Sequence, residues 1–83
     1  MRKIKFYALS TCGWCRRTKK LLDENGADYE LIYVDLLQGE EQKKALEEVS
    51  RWNPRLSFPT LVLDNEEAII GYDEARIKEA LGL

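Results

Sequence analysis

The chain has 83 residues, which predicts one small domain over residues 1–83. Its composition, 45% hydrophobic and 34% charged, is typical of a folded globular protein rather than a disordered one. The net charge of −2 argues against a nucleic-acid-binding surface. No apolar run approaches the ~20 residues of a membrane span. The N-terminal segment also lacks the apolar core of a signal peptide, so we expect a cytoplasmic protein.

The first half of the chain predicts a strand, a helix and a second strand. Residues 3–9 alternate between polar and apolar side chains, as a strand does. A helical period follows over about residues 13–25, and Gly26 stands where a helix end favours glycine. Residues 29–35 are almost continuously apolar, so we expect them to form a central strand covered on both faces.

The second half predicts a helix, a hairpin and a final helix. Residues 39–52 carry an apolar stripe formed by Ala45, Leu46, Val49 and Trp52. After a break at residues 53–59, two short strands at 60–63 and 68–70 flank a polar turn. Asp73 is a predicted N-cap for the last helix. This order indicates an α/β fold: a parallel strand pair with a right-handed crossover, extended by an antiparallel hairpin into a mixed sheet flanked by helices.

The chain contains two cysteines and no histidine, and both cysteines lie in the segment STCGWCRRTKK. Cys12 falls where the first strand gives way to the first helix, and the positive end of a helix stabilises a thiolate there. Four basic residues add positive potential just beyond the pair, namely Arg16, Arg17, Lys19 and Lys20. Residues three apart share a helix face at ~5–6 Å, so a small adjustment brings Cys12 and Cys15 into disulfide geometry.

This spacing predicts unequal roles in thiol–disulfide exchange. Cys12 is expected to be exposed and ionised and to attack, whereas Cys15, one turn further, is expected to be more buried and to resolve the mixed disulfide. Gly13 is expected to allow a tight turn between them, and Trp14 to offer an apolar surface beside the sulfur. The alternative of a zinc site needs four ligands, which a dimer or external ligands would have to supply. A cytosolic CxxC in a βαβ context favours redox chemistry.

The segment SFPT at residues 57–60 adds a second motif. Pro59 is acceptable at the first position of a strand for purely structural reasons. A βαβ unit with CxxC, followed by a proline directly before a hairpin strand, resembles the thioredoxin superfamily. The resemblance implies that the Phe58–Pro59 bond is cis and that Pro59 lies against the dithiol. It also implies that the Phe58 backbone pairs with a bound substrate as a short strand does.

Within that superfamily the chain resembles the glutaredoxins over nearly its whole length, through YALSTCGWCRRTKKLL and SFPTLVLDNEEAIIGYDE. The resemblance implies a thioredoxin-like, glutaredoxin-type βαβ-α-ββα fold, with a four-stranded mixed sheet and three helices. It also implies a dithiol–disulfide oxidoreductase that reduces disulfides of cytosolic proteins and holds no tightly bound cofactor or metal. Gly71, Tyr72 and Asp73 correspond to the segment that binds glutathione in glutaredoxins.

The sequence departs from that family at the glutathione site. Glutaredoxins usually carry a Lys or Arg where this chain has Leu9, and only part of their glycine- and aspartate-rich segment is retained at residues 70–74. The departures favour recharging by thioredoxin reductase or another dithiol donor, as in NrdH-type redoxins, with glutathione as the alternative co-substrate. By resemblance, ribonucleotide reductase is one candidate acceptor, and the expected state is a monomer.

Two further alternatives remain open from the sequence. The first is a dimeric carrier of a [2Fe–2S] cluster held by nucleophilic cysteines and glutathione, as in some glutaredoxins. The second is a binding module that senses redox state through its dithiol and uses Trp14 and Phe58 as exposed anchors.

Overall fold

The computed structural model describes residues 3–82, which form four strands and three helices. In chain order they are β1 (Ile4–Ala8), α1 (Gly13–Glu24), β2 (Glu30–Tyr33), α2 (Gly39–Trp52), β3 (Thr60–Leu63), β4 (Glu67–Ile70) and α3 (Glu74–Ala80). A single 3₁₀ turn over Val34–Leu36 follows β2. The predicted sequence of elements is therefore confirmed, with boundaries within a few residues of those expected.

The strands form one mixed sheet in the order β2-β1-β3-β4. β1 runs parallel to β2 and antiparallel to β3, and β3 is antiparallel to β4. Phe6 lies in register with Leu31 on one side and Leu61 on the other. This is the α/β, thioredoxin-like arrangement that the sequence predicts.

The two faces of the sheet carry separate apolar clusters because successive strand side chains point in opposite directions. One cluster joins β1 and the hairpin to α1 and α3, through Phe6, Leu22, Leu61, Ile69 and Ile77 among others. The other joins the sheet to α2 and contains Tyr7, Val34, Ala45, Val49 and Val62. The ends of β1 and β3 nearest the dithiol are thus packed against an apolar cluster on each face of the sheet.

The prediction that the second strand is central is wrong. β2 lies at the edge of the sheet, and its residues Leu31, Ile32 and Tyr33 are only half-buried. Leu31 and Tyr33 pack on the α1/α3 cluster, while Ile32 packs on the α2 cluster. An edge strand with partly covered faces therefore gives the same continuous apolar pattern as a central strand, and the pattern alone does not distinguish them.

The helix ends follow the predicted chemistry. Gly26 adopts a φ of +65° just after α1, a left-handed conformation that glycine tolerates without a Cβ penalty. Asp73 caps α3, since its Oδ1 accepts a hydrogen bond from the Arg76 backbone N–H at 3.1 Å. Both predictions are confirmed.

Candidate active site

The site centres on Cys12, which is the N-cap residue of α1. Its sulfur accepts a hydrogen bond from the Cys15 backbone N–H at 3.3 Å, one of the donors that a helix leaves unpaired at its start. The side chain is partly exposed, with less of it in solvent than the sequence suggested. Cys12 therefore presents a reachable sulfur at the N-terminal end of a helix.

Cys15 lies one turn further along α1 and has 3% of its surface exposed. Burial raises the pKa of the Cys15 thiol from its ordinary 9.0 to about 12, and hydrogen bonding to Cys12 adds to the rise. The charges of Cys12 and Asp35 act in the same direction, while a backbone hydrogen bond with Leu9 opposes it. The expected burial of the second thiol is confirmed, and the raised pKa agrees with the weak acidity expected of it.

The basic residues behind the pair contribute less positive potential than the sequence suggests. Lys19 forms an ion pair with Asp23 at 2.8 Å, and Lys20 one with Glu24 at 3.8 Å, each one turn further along α1. The charges of these two lysines are therefore partly offset by acidic neighbours on the same helix.

The expectation that Gly13 makes a tight turn between the cysteines is wrong. Gly13 is the first residue of α1, its φ is not positive, and a Cβ added there meets no atom within 4 Å. The pair is brought together by ordinary helical geometry, in which residues three apart share a face. No backbone feature of the site requires glycine at this position.

The segment before β3 lies against Cys12. The Phe58–Pro59 peptide bond is cis, as predicted. The Cys12 sulfur is 4.0 Å from the Phe58 carbonyl oxygen, while the Pro59 side chain is fully buried. The Pro59 carbonyl accepts a hydrogen bond from the Gly71 N–H at 2.8 Å, which joins this segment to the end of β4. Phe58 is thus the member of the pair that reaches the surface beside the sulfur.

An aromatic pair lies next to the dithiol. The ring of Trp14, 56% exposed, stacks on Tyr72 with 5.6 Å between the ring centroids. The Arg17 guanidinium lies 5.1 Å from the centre of the Trp14 ring, in a cation–π arrangement. The expected surface position of Trp14 is confirmed. The role of Arg17 was not predicted, although its spacing of three from Trp14 on a helix could have indicated it.

Comparison with known proteins places these features in a family. The glutaredoxin family model matches residues 4–68, which is most of the chain and includes both cysteines and Pro59. The chain belongs to the glutaredoxin family.

Individual relatives agree with that assignment. The methanoredoxin of Methanosarcina acetivorans is 54% identical, with a TM-score of 0.94 over 98% of this chain and 85% of that one. The Gene 56 protein of Mycobacterium phage D29 is 32% identical over 94% of this chain and 81% of its own length. A buckwheat glutaredoxin solved with glutathione is 26% identical, with a TM-score of 0.70 over 98% of this chain and 71% of that one. The protein is accordingly a thiol–disulfide oxidoreductase of the glutaredoxin type.

The positions that correspond to the glutathione site of glutaredoxins are largely engaged within the fold. Leu9 is half-buried against the α2 cluster and offers no charge. The Gly71 N–H is bonded to Pro59, and the Asp73 carboxylate caps α3. Tyr72 stacks on Trp14 and remains half-buried.

A carboxylate that no sequence motif indicated holds the loop before Cys12. Asp35, in the turn after β2, accepts hydrogen bonds from both the backbone N–H and the hydroxyl of Ser10. These bonds lower the pKa of Asp35, so the carboxylate stays ionised in neutral solution. No local sequence signal joins residues 25 apart in the chain; the parallel β1–β2 pairing brings them together.

Among residues 3–82, no group of three or more His, Cys, Asp or Glu side chains is placed to hold a metal ion. A single copy of the described chain therefore does not supply the ligand set of a cluster or zinc site. No helix within the same residues is long and apolar enough to cross a membrane.

Proposed function

We propose that this glutaredoxin-family protein reduces disulfide bonds in other proteins, with Cys12 as the nucleophile and Cys15 as the resolving thiol. The difference between the two sulfurs carries the proposal. Cys12 is partly exposed and accepts a backbone hydrogen bond, whereas Cys15 is 3% exposed with its pKa raised to about 12. Cys12 is suited to attack a disulfide that approaches from solution, and Cys15 is suited to remain a protonated thiol until the mixed disulfide has formed.

The cycle follows from this difference. The Cys12 thiolate attacks one sulfur of the substrate disulfide, that S–S bond breaks, and the departing thiolate takes a proton from solvent. Cys15 then loses its proton and attacks the Cys12 sulfur, which releases the second substrate thiol and leaves a Cys12–Cys15 disulfide. The substrate gains two electrons from the protein and two protons, one from Cys15 and one from solvent. A reductant must later return two electrons to the protein, and Cys15 must regain one proton.

Substrate contacts are proposed for the surface around Cys12. The Phe58 backbone would pair with an extended segment of the substrate protein, held in place by the buried Pro59. Trp14 and Tyr72 form the aromatic surface on which apolar substrate side chains would rest. Gly13, exposed between the cysteines, and the segment of Gly71 and Asp73 would border the bound segment.

We propose further that a dithiol donor such as thioredoxin reductase recharges the protein in preference to glutathione. Leu9 offers no cation to a glutathione carboxylate, and a lost charge-assisted hydrogen bond weakens binding by ~1.5–3 kcal/mol, or about ten- to a hundredfold. The Gly71 N–H is already bonded to Pro59. Glutathione remains the alternative co-substrate, because the related buckwheat glutaredoxin was solved in complex with it.

The nucleophile is tested with single serine variants in an insulin reduction assay. Cys12→Ser is expected to abolish turnover without loss of stability, because serine is a preferred N-cap residue. Cys15→Ser is expected to accumulate mixed disulfides with the substrate. Wild-type turnover by Cys12→Ser would overturn the assignment.

The donor is tested on the oxidised protein with two coupled systems, NADPH with thioredoxin reductase and glutathione with glutathione reductase. The first is expected to reduce the protein faster. Faster reduction by glutathione would contradict the proposal about the donor and would leave the roles of the cysteines untouched.

A further inference from the structure

Asn53, the residue that ends α2, has a buried side-chain amide directed at the segment that carries Phe58. It is 2% exposed. Its Nδ2 donates to the Ser57 carbonyl at 3.0 Å, to the Ser57 hydroxyl at 2.8 Å and to the Thr60 hydroxyl at 3.2 Å. One amide thus reaches both ends of the segment from residue 57 to residue 60.

The chemistry of these partners fixes the orientation of the amide. The Ser57 carbonyl accepts hydrogen bonds only, so it must face the NH₂ group of Asn53 rather than its oxygen. Thr60 adds a second donor to the same carbonyl, at 2.8 Å, and its hydroxyl oxygen accepts from Asn53. Each of these groups therefore has a hydrogen-bond partner. Such a buried network holds its geometry because the loss of one group leaves the remaining donors and acceptors without hydrogen bonds.

The loop depends on these bonds for its position. Leu56 adopts a φ of +53°, a left-handed conformation that is costly for a branched aliphatic residue. The Leu56 N–H donates to the Asn53 carbonyl at 2.9 Å, and the Asn53 N–H donates to Val49 at 2.7 Å. The conformation of the loop is therefore imposed by its contacts, and most of them converge on Asn53.

This loop sets the surface beside the nucleophile. Ser57 immediately precedes Phe58, whose carbonyl oxygen is 4.0 Å from the Cys12 sulfur. Thr60 begins β3 and pairs with Tyr7 of β1. The amide thus connects the end of α2 to the backbone segment whose Phe58 carbonyl lies beside the Cys12 sulfur.

We propose that Asn53 is a positioning residue, which holds the Phe58 backbone where it pairs with a substrate segment beside Cys12. The inference rests on the proposed function, in that it assumes a protein disulfide as substrate. Asn53 touches neither the sulfur nor the substrate; it acts through Ser57 and Thr60. Its loss should impair recognition of extended substrates and leave the intrinsic reactivity of Cys12 largely intact.

Two variants remove the network in different ways. Asn53→Ala deletes the donor, and Thr60→Val replaces a hydroxyl by a methyl group of similar size. Thr60→Ser keeps the hydroxyl and serves as the conservative rescue. Asn25→Ala is the matched control, because Asn25 ends α1 as Asn53 ends α2 and its amide also donates to a backbone carbonyl, that of Leu21 at 2.8 Å.

Each variant is assayed for kcat and KM with insulin, and for the alkylation rate of Cys12 by iodoacetamide in the reduced protein. Asn53→Ala and Thr60→Val are expected to lower kcat/KM about tenfold, mainly through KM, since the loss of one or two hydrogen bonds corresponds to roughly this factor. Their alkylation rates should stay within about twofold of wild type. Thr60→Ser and Asn25→Ala should match wild type in both assays.

The outcomes separate the inference from the proposed function. Wild-type kcat/KM in Thr60→Val would overturn the positioning role, and so would a parallel fall in turnover and alkylation. Should Asn53→Ala fail to fold, Thr60→Val decides on the same criteria. Failure of the wild-type protein itself to reduce insulin would instead overturn the proposed function.

Discussion

At the scale of single residues, the two thiols differ because Cys12 is the N-cap of α1 and Cys15 lies three residues further along the helix. Cys12 is the N-cap residue, and its sulfur accepts a hydrogen bond from the Cys15 N–H, whereas Cys15 packs in the cluster between α1 and the sheet. Both properties follow from a spacing of three at a helix start, and the sequence predicted them. The sequence did not predict that Lys19 and Lys20 turn to acids on α1 rather than to the thiols.

The raised pKa of Cys15 predicts a pH dependence of stability. The folded state retains the Cys15 proton up to about pH 12, whereas an unfolded thiol loses its proton near its ordinary pKa of 9.0. The contribution of Cys15 to the free energy of unfolding is therefore complete below pH 9 and is lost as the pH rises toward 12. Chemical unfolding of the reduced protein should show this decline, and Cys15→Ser should show a shallower one. Equal slopes in the two proteins would contradict the burial of an unionised Cys15.

Gly13 gives a second prediction at this scale. Since Gly13 is helical and has room for a Cβ, Gly13→Ala should stabilise α1 by up to about 1 kcal/mol through its lower conformational entropy when unfolded. Thermal unfolding of the reduced protein measures the change. A loss of stability would show that glycine is needed between the cysteines after all.

At the scale of elements, the ends of the three helices position residues of the site. α1 begins at the nucleophile, α2 ends at the amide that holds the Phe58 segment, and α3 begins at Asp73 beside the aromatic pair. Two of these positions were readable from sequence: Cys12 at the change from strand to helix, and Asp73, because aspartate is a preferred N-cap residue. The role of Asn53 was not readable, because its partners Ser57 and Thr60 lie across the irregular loop between α2 and β3.

Asp73 allows the capping role to be separated from a charge role. Asp73→Ala should lower the free energy of unfolding by about 1 kcal/mol, because the Arg76 N–H loses its acceptor. Asp73→Ser keeps an acceptor and should restore most of that stability. Both are measured by urea denaturation. If Asp73→Ser is as unstable as Asp73→Ala, the cap is not what the aspartate contributes.

At the scale of the whole molecule, the strand order decides where the site lies. β1 and β3 occupy the centre of the sheet, so the segments attached to them, Leu9–Cys12 and Phe58–Pro59, meet at neighbouring strand ends. β2 was expected at the centre and lies at the edge instead. Its apolar run reflects two partly covered faces, a property that central and edge strands share in a sheet with helices on both sides.

The two register partners of Phe6 test this order. Leu61 on β3 is 1% exposed, whereas Leu31 on β2 is half-buried. Leu61→Ala should cost about 2–5 kcal/mol of unfolding free energy, as large-to-small changes in packed cores do, and Leu31→Ala clearly less. Guanidinium denaturation of both variants measures the difference. Equal losses would indicate that β2 is as enclosed as a central strand.

The sequence by itself determined the elements, the helix ends at Gly26 and Asp73, the CxxC at a helix start and, through resemblance, the cis Phe58–Pro59 bond. These are local features, set by side-chain periodicity and by the conformational preferences of single residues. Only the tertiary structure decided which strand is central, that Asp35 binds Ser10, and that Asn53 reaches Ser57 and Thr60. The strand order and the Asp35–Ser10 contact depend on the pairing of strands that are distant in the sequence, which no local pattern records. The Asn53 contacts span only four and seven residues, but they lie in an irregular loop that side-chain periodicity does not describe.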